Sequence, residues 1–133
     1  MSKPVSVGSL KVGHHIIIEN EPCRIIKYEK SKPGKHGAAK ARVVAIGIFD
    51  GVKRSIVSPV DAKIESPIIE KRNGQVISVS GKSVQLMDLE TYDVFWAPIP
   101  SEVEVRERLS SGVEVEYWKV LNRVKVTRVK GST

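Results

Sequence analysis

The feature that most constrains the fold is a succession of short runs rich in Val and Ile, each closed by a turn signal. Branched aliphatic residues favour strands, and Asn20-Glu21-Pro22 and Asp50-Gly51 are typical of turns between strands. Several short antiparallel strands in about 65 residues indicate a small β-barrel. The runs of the N-terminal half are His14–Glu19, Cys23–Lys30, Lys40–Phe49, Val52–Ser58 and Ala62–Glu65.

A domain boundary is predicted at Ser66-Pro67, which interrupts this series at the point where the charge balance changes. Residues 1–66 carry twelve Lys and Arg against six Asp and Glu, whereas residues 67–133 carry ten against nine. We therefore predict two domains, 1–66 and 67–133, the first of them strongly basic. Met1–Val7 is expected to be a short, partly loose lead-in to the first domain, with Val5, Val7 and Leu10 as the residues that can pack against its barrel.

The sequence pattern of the second half predicts three strands, a short helix and two further strands. Ser101 and Glu104 fit a capping box, so a helix is expected over Ser101–Leu109, ended by Gly112, although the alternation of Val and Glu there leaves a strand as the alternative. This order is typical of a five-stranded OB barrel, in which the helix lies between the third and fourth strands. The predicted strands are Val84–Asp88, Tyr92–Ala97, Val113–Leu121, Arg123–Lys130, and, before them, Ile68–Lys71 and Gln75–Val79 as one bent strand or two.

Aromatic residues are concentrated on two of these strands. OB barrels often bind oligonucleotides through aromatic side chains on the sheet. Alternation would place Tyr92 and Trp96 on one face and Phe95 on the other. With Tyr117 and Trp118 on a further strand, core packing is the expected role for most of the five.

A basic loop, Ser31–Lys40, separates two of the N-terminal strands. Gly34 and Gly37 can adopt the positive φ angles of a sharp reversal, and Pro33 favours an extended residue before it. No residue of the loop is bulky or apolar enough to draw it into a core. The sequence therefore predicts a protruding hairpin loop with Lys35 and His36 at its tip.

Positive charge is concentrated around this loop. The formal net charge of the chain is +7 and its pI is about 9.6. A basic projection of this kind suits a polyanion such as RNA, although a merely soluble basic surface is the alternative. The clustered side chains are Lys27, Lys30, Lys32, Lys35, Lys40 and Arg42, with Glu29 as the acidic residue among them.

Patterns of enzyme or metal chemistry are weak in this sequence. The single cysteine, Cys23, is expected to be a small buried residue in a strand, and no intrachain disulfide is possible. His14, His15, His36 and Cys23 match no zinc spacing, so no metal site is expected. Lys35 as a catalytic nucleophile would need an apolar pocket that an exposed tip does not supply. We expect a binding protein without enzymatic activity or a bound cofactor.

The chain also lacks the marks of export or membrane insertion. No apolar signal-peptide core precedes the first strand, and no run approaches the ~20 apolar residues of a membrane span. With one cysteine, the sequence fits a cytoplasmic, reducing compartment and no membrane partner.

Several motifs resemble the translation initiation factor 5A family, the hypusine-containing factors of archaea and eukaryotes. The resemblance covers essentially the whole chain, and the loop motif is its most specific part. It implies an SH3-like barrel followed by an OB barrel, in agreement with the two β domains predicted above. The matching segments are Lys32–Lys40, Gly8–Lys11, Glu21–Arg24, Ala45–Gly51 and Gln85–Asp88.

The resemblance also implies a function for the loop. Lys35 would be modified by deoxyhypusine synthase, which transfers an aminobutyl group from spermidine to the lysine. The factor would bind the ribosome near the exit-tRNA site, and its loop would approach the peptidyl-transferase centre and peptidyl-tRNA. It would promote peptide-bond formation at stalled sequences such as proline runs, and assist termination, much as bacterial elongation factor P does. The implied ribosome contacts beside Lys35 are Lys30, Lys32, Gly34, His36, Gly37, Lys40 and Arg42.

Two departures from the family pattern favour an archaeal-type member. Ala38 stands where eukaryotic members usually have a histidine, and the segment before the first strand is short. Whether deoxyhypusine is further hydroxylated to hypusine stays open. So do two alternatives: a general RNA-binding or ribosome-assembly module with an unmodified Lys35, and an enzyme that uses Lys35 as a nucleophile.

Overall fold

The computed structural model describes residues 1–31 and 39–131. The chain divides into two compact units, Met1–Ile68 and Ile69–Thr133. Over the described ranges it forms eleven strands, one 3-10 turn and one four-residue helix. The predicted all-β fold with one short helix is confirmed.

The first unit holds a four-stranded antiparallel sheet of order β2-β3-β4-β5 and a separate two-stranded pair, β1-β6. β4 is paired on both sides and lies between β3 and β5. The strands are β1 (Ser2–Ser6), β2 (His15–Ile18), β3 (Glu21–Ser31), β4 (Lys40–Gly47), β5 (Lys53–Pro59) and β6 (Lys63–Pro67).

Two local predictions for this unit are wrong. Val5, Val7 and Leu10 pack in or against the core as expected, but the N-terminal segment is not a loose lead-in, because Ser2–Ser6 pairs with Lys63–Pro67. Its partner lies some sixty residues away, so a local pattern could not reveal the pairing. The turn after β2 is formed by Glu19 and Asn20, with φ angles of 53° and 66°, and β3 begins directly after it.

The core of the first unit follows the alternation of the strands. On β4, Ala41, Val43 and Ala45 are fully buried, while Lys40 and Arg42 face solvent. Cys23 is fully buried among these residues, as predicted. The other buried members of the cluster are Val7, Leu10, Ile16, Ile18 and Ile25.

The second unit is a five-stranded antiparallel sheet of order β11-β10-β7-β8-β9. β9 and β11 also lie close together, and the helix lies beside β11, so the predicted OB arrangement is confirmed. The first strand is continuous, with a register shift between Val76 and Ser78. The elements are β7 (Ile69–Ser80), β8 (Ser83–Asp88), β9 (Val94–Pro98), α1 (Val103–Arg106), β10 (Glu114–Val120) and β11 (Arg123–Gly131).

The helix is shorter than predicted and has no capping box. It spans one turn, Val103–Arg106, and its N-cap is Glu102, which makes no side-chain cap hydrogen bond. The Glu102 carboxylate instead accepts hydrogen bonds from Lys125 Nζ at 2.7 and 3.0 Å. The branched Val103 and Val105 add little helix propensity of their own, so tertiary contacts set the length.

The aromatic residues divide between core and surface. Phe95 and Tyr117 pack edge-to-face, with ring centroids 5.3 Å apart. Trp96 is 53% exposed, and Tyr92 is 69% exposed because it lies in the turn before β9 with a φ of 62°. Trp118 is partly buried, with Lys71 Nζ 5.2 Å from its ring centroid, and it does not belong to the core cluster. The expectation that most of the five aromatics pack in the core is therefore wrong.

Candidate functional site

The β3–β4 hairpin carries the predicted site, and the structure describes its stem. Residues 32–38 lie outside the described residues, and with them the predicted tip and contact residues Lys32, Gly34, Lys35, His36 and Gly37. Lys30, Lys40 and Arg42 belong to the stem. The geometry below therefore concerns how the ends of the loop are held.

The two ends of the loop are joined by strand pairing. Ser31 lies opposite Lys40, and the Ser31 hydroxyl donates a hydrogen bond to the Lys40 carbonyl at 3.3 Å. The Val60 N–H donates to the Ala39 carbonyl at 3.0 Å, just after β5 pairs with β4. Pairing between β3 and β4 thus holds both ends of the loop. The hydrogen bond from Val60, directly after β5, also holds the Ala39 end.

The stem is also anchored in the core of the first unit. Ala41 and Val43 are fully buried on β4, directly opposite Lys30 and Tyr28 on β3. The Tyr28 hydroxyl donates a hydrogen bond to the Val7 carbonyl at 2.9 Å, and burial raises the pKa of this phenol. A stem fixed in this way gives the loop a rigid base.

The predicted contact residues of the stem do not share one face. Residues directly opposite in a sheet project to the same side, and successive residues alternate. Lys40 lies opposite Ser31 and Arg42 opposite Glu29, on the outer face, whereas Lys30 lies opposite Ala41, on the face that continues into the core. Lys40 and Arg42 are therefore brought together, and Lys30 is separated from them.

The outer face of the hairpin has an excess of positive charge. Lys27 Nζ lies 3.2 Å from Glu29 Oε1, and both side chains are more than half exposed. Such an exposed pair contributes little free energy, and Glu29 offsets one positive charge of this face. Over the described ranges, Lys40, Arg42 and Lys53 form no ion pair. Sequence reasoning did not assign Lys53 to the site; the strand register was needed to find it.

Arg54 is different, because its charge is held by two carboxylates. Its guanidinium nitrogens lie 2.9 and 3.2 Å from the Asp50 oxygens and 3.3 Å from Glu19. The hydrogen bonds from Arg54 lower the pKa of Asp50 to about 2. This pair closes the β4–β5 turn and adds little net charge to the face.

The remaining candidate groups of the first unit have structural roles. Burial raises the pKa of the Cys23 thiol, and Arg54 only partly opposes this shift. The raised pKa disfavours the reactive thiolate. His14 Nδ1 accepts a hydrogen bond from the Lys11 backbone N–H at 3.2 Å.

In the part of the chain that the structure describes, no group of His, Cys, Asp or Glu is arranged to hold a metal ion. Likewise, none of its helices has the length and apolar character needed to span a bilayer.

The second unit contains a buried polar cluster that sequence reasoning did not identify. Asp88 is 2% exposed and accepts hydrogen bonds from Arg72 Nε at 2.7 Å, from the Tyr117 hydroxyl, and from the backbone N–H groups of Glu90 and Thr91. Arg72 is the main cause that holds the pKa of Asp88 well below its usual range, whereas burial and then Asp88 raise the pKa of Tyr117 to about 12. The hydrogen bonds from Glu90 and Thr91 fix the turn after β8, and those from Arg72 and Tyr117 join it to β7 and β10. We assign the cluster a structural role.

Comparisons with known protein families match both units. Residues 1–62 match the family model described as translation initiation factor 5A-like, N-terminal. Residues 68–130 match the model described as eukaryotic elongation factor 5A hypusine, DNA-binding OB fold.

Similar proteins cover nearly the whole chain. Translation initiation factor 5A of Pyrobaculum islandicum is 57% identical over 130 residues, covering 97% of this chain and 98% of that protein. The same factor of Thermofilum pendens is 54% identical over 129 residues, covering 97% and 98%. Among solved structures, eukaryotic translation initiation factor 5A from Methanococcus jannaschii has a TM-score of 0.88 at 51% identity, covering 96% of this chain and 94% of that one. The 5A family protein from Naegleria fowleri has a TM-score of 0.79 at 30% identity, covering 98% and 99%.

The fold and the anchored basic hairpin thus define a class, the two-domain β translation factors that pair an SH3-like unit with an OB unit. The matches in both units, at this identity and coverage, are specific to one group within that class. The chain belongs to the translation initiation factor 5A family. This family of translation factors is known for hypusine, a modified lysine, and its members act with the ribosome.

Proposed function

We propose that this chain binds the ribosome and uses a hypusine- or deoxyhypusine-modified Lys35 to position peptidyl-tRNA. It would promote peptide-bond formation at stalled sequences such as proline runs, and would assist termination. The observation that carries the proposal is the firmly held stem of a hairpin whose loop reads Lys-Pro-Gly-Lys-His-Gly, in a family whose second-domain model names hypusine. The cytoplasm follows as the compartment, because translation takes place there.

The proposed division of labour places the modified loop (31–40) on domain 1–66 and leaves the OB domain, 67–133, to support docking. The excess of basic residues lies in the first of these segments. Ribosomal RNA is a dense array of phosphates, so lysine and arginine side chains gain free energy there by releasing counterions. Lys30, Lys32, His36, Lys40 and Arg42 are the proposed supporting contacts, with Gly34 and Gly37 allowing the loop to turn.

The proposed modification lengthens one side chain and adds an amine. Deoxyhypusine synthase would form a bond between Lys35 Nζ and the aminobutyl carbon of spermidine as that carbon's bond to the secondary nitrogen breaks. The departing nitrogen takes up a proton lost from the lysine amine and leaves as 1,3-diaminopropane. The modified side chain carries two amines in place of one, and both are cationic near neutral pH. In a crowded, anionic cavity these charges interact strongly with tRNA phosphates.

The proposed contribution of this protein to the reaction is positional. The ribosome supplies the peptidyl-transferase chemistry, and no catalytic residue or bound cofactor is assigned to this chain. Holding the end of a tRNA in a reactive geometry can account for large rate effects without a new chemical group. A fixed stem suits this role, since it limits the positions that the tip can occupy.

The test is the intact mass of protein purified from its native host. We expect an aminobutyl addition, with or without one further oxygen, and fragmentation that places it on Lys35. Protein produced in a bacterial host without deoxyhypusine synthase provides the unmodified control. A native protein with plain Lys35 would contradict the proposal and support the alternative, an RNA-binding module that uses the loop only as charge.

A further inference from the structure

A shallow hollow of about 330 Å³ lies on the outer face of the β3–β4–β5 sheet, in the first unit. Four cationic side chains surround it, and Ile26 and Val44 form its apolar part. We propose that this hollow is a second contact for an RNA phosphate, distinct from the loop, which anchors the factor on the ribosome. The inference rests on the proposed function above. The cationic side chains are Lys27, Arg42, Lys53 and Arg54.

The strand register explains why Lys27, Arg42 and Lys53 meet on the outer face, whereas Arg54 lies opposite Ala45 and borders the hollow from the end of β5. Lys27 lies opposite Val44 on β4, and Val44 lies opposite Ser55 on β5. Lys53 lies opposite Ile46, two residues along β4 and therefore on the same face. Arg42 lies two residues from Val44 in the other direction. Residues from three strands thus converge on one hollow, although they are spread over about thirty positions of the sequence.

The hollow is separate from the loop. Val44, at its centre, is four residues along β4 from Lys40, where the described part of the stem ends. At about 3.3 Å per residue, this places the hollow about 13 Å from the base of the loop. One RNA contact at the hollow and another at the tip would therefore engage different parts of the RNA.

The charges that remain free favour an anion. The Arg54 charge is offset by Asp50 and Glu19, and Lys27 is shared with an exposed Glu29. Arg42 and Lys53 have no ion pair over the described ranges, and Arg42 offers a planar fork of donors that matches two phosphate oxygens. An open, basic hollow without a deep apolar pocket suits a backbone phosphate better than a base or an apolar peptide.

If the hollow binds RNA, ribosome affinity and the stimulation of peptide-bond formation depend on different residues. Contacts at the hollow would set how tightly the factor holds the ribosome, whereas Lys35 would set what happens once it is bound. Removing hollow charges should then raise the concentration needed for half-maximal stimulation and leave the rate at saturation unchanged. A purely structural role for these exposed side chains would alter neither quantity.

The experiment compares Lys27→Gln/Lys53→Gln with Lys11→Gln/Lys63→Gln, both in the modified full chain. The control removes the same charge from exposed lysines of the same unit that do not line the hollow. Binding to ribosomes of Pyrobaculum islandicum is measured from about 50 to about 300 mM potassium chloride. We expect the hollow variant to bind roughly three- to tenfold more weakly, with a salt slope reduced by about 1 to 2, and the control to change much less.

Two further measurements make the result decisive. Lys27→Arg/Lys53→Arg should restore affinity, since it restores charge, and thermal unfolding should match that of the unchanged protein in every variant. Equal affinity and salt slope for the hollow and control variants would overturn the inference, and so would a lower rate at saturation with unchanged affinity. Binding of an acidic peptide at the hollow with no change in ribosome affinity would also overturn it. None of these results touches the proposed function, which fails only if native Lys35 is unmodified or dispensable.

Discussion

Tyr117 donates a buried hydrogen bond to Asp88, and the pair lies where the first, second and fourth strands of the OB unit meet. Arg72 completes the cluster with a 2.7 Å hydrogen bond from Nε to the same Asp88 oxygen. The carboxylate thereby joins β7, β8 and β10, and it also caps two backbone N–H groups of the turn after β8. One side chain thus connects three strands and a turn.

We predict that Asp88→Asn strongly destabilises the protein. The change removes the charge that pairs with Arg72 and leaves that guanidinium half-buried without its main partner. Breaking a buried pair in this way costs about 3–5 kcal/mol of unfolding free energy. Urea unfolding measures the loss, and Asp93→Asn is the control because Asp93 is exposed on the same turn. Equal stability of the two variants would show that the cluster is not structural.

The same cluster predicts a loss of stability in acid. The folded pKa of Asp88 is depressed, so its contribution is fully present above the unfolded pKa near 4 and is lost as the pH falls through lower values. Asp50 behaves alike, with a folded pKa of about 2. We expect unfolding free energy to decline below about pH 5, and to decline less steeply in Asp88→Asn. Urea titrations at several pH values measure this, and parallel curves for the two proteins would contradict it.

Tyr28→Phe tests the anchoring of the hairpin stem. It removes the hydroxyl that reaches the Val7 carbonyl and keeps the ring that packs on the core. Since the Val7 carbonyl loses a partner in a half-buried place, we expect a loss of about 0.5–1.5 kcal/mol. Hydrogen exchange should also quicken at the amides of Ala41 and Val43. Tyr92→Phe, at an exposed turn, is the control, and an equal effect there would exclude a specific role for the Tyr28 hydroxyl.

Gly47→Ala is expected to destabilise the first unit. A methyl group at this position would collide with the Asp50 carboxylate, which is held in place by Arg54. Displacing Asp50 would break that pair, so a loss of about 1–3 kcal/mol is predicted. Gly81→Ala serves as the control, because nothing lies within 4 Å of a methyl group there. Chemical unfolding distinguishes them, and a neutral Gly47→Ala would show that the turn adapts.

Lys35→Arg is predicted to abolish function without unfolding the protein. Arginine keeps one positive charge but cannot accept the aminobutyl group as lysine does. We expect a normal unfolding curve together with loss of stimulation in a translation assay across a proline run. Lys40→Arg, a lysine of the stem that is not proposed to be modified, should retain activity. Full activity of Lys35→Arg would contradict the proposed role of the modification.

Much of the fold was predictable because local pattern and structure agree. The Val- and Ile-rich run Lys40–Phe49, closed by Asp50-Gly51, identifies β4, and the order of elements after Ile69 identifies the OB unit. The pairing of Ser2–Ser6 with β6 was missed and the helix was predicted too long, since each depends on a partner distant in sequence. The sequence was enough to predict which basic residues belong to the site. It could not show which face of the sheet each of them occupies. Lys30 and Lys40 are equally basic and project to opposite sides because of where the strands pair.

The closure of the hairpin by Ser31, Lys40 and the Ala39–Val60 hydrogen bond has a practical consequence. When neighbouring strands hold both ends of a loop by hydrogen bonds, the loop sequence can be exchanged without altering the strands. Residues 32–38 should therefore tolerate replacement, lengthening or chemical labelling while the surrounding sheet keeps its register. The tip can then be redesigned one residue at a time, and each change in translation can be attributed to the tip itself.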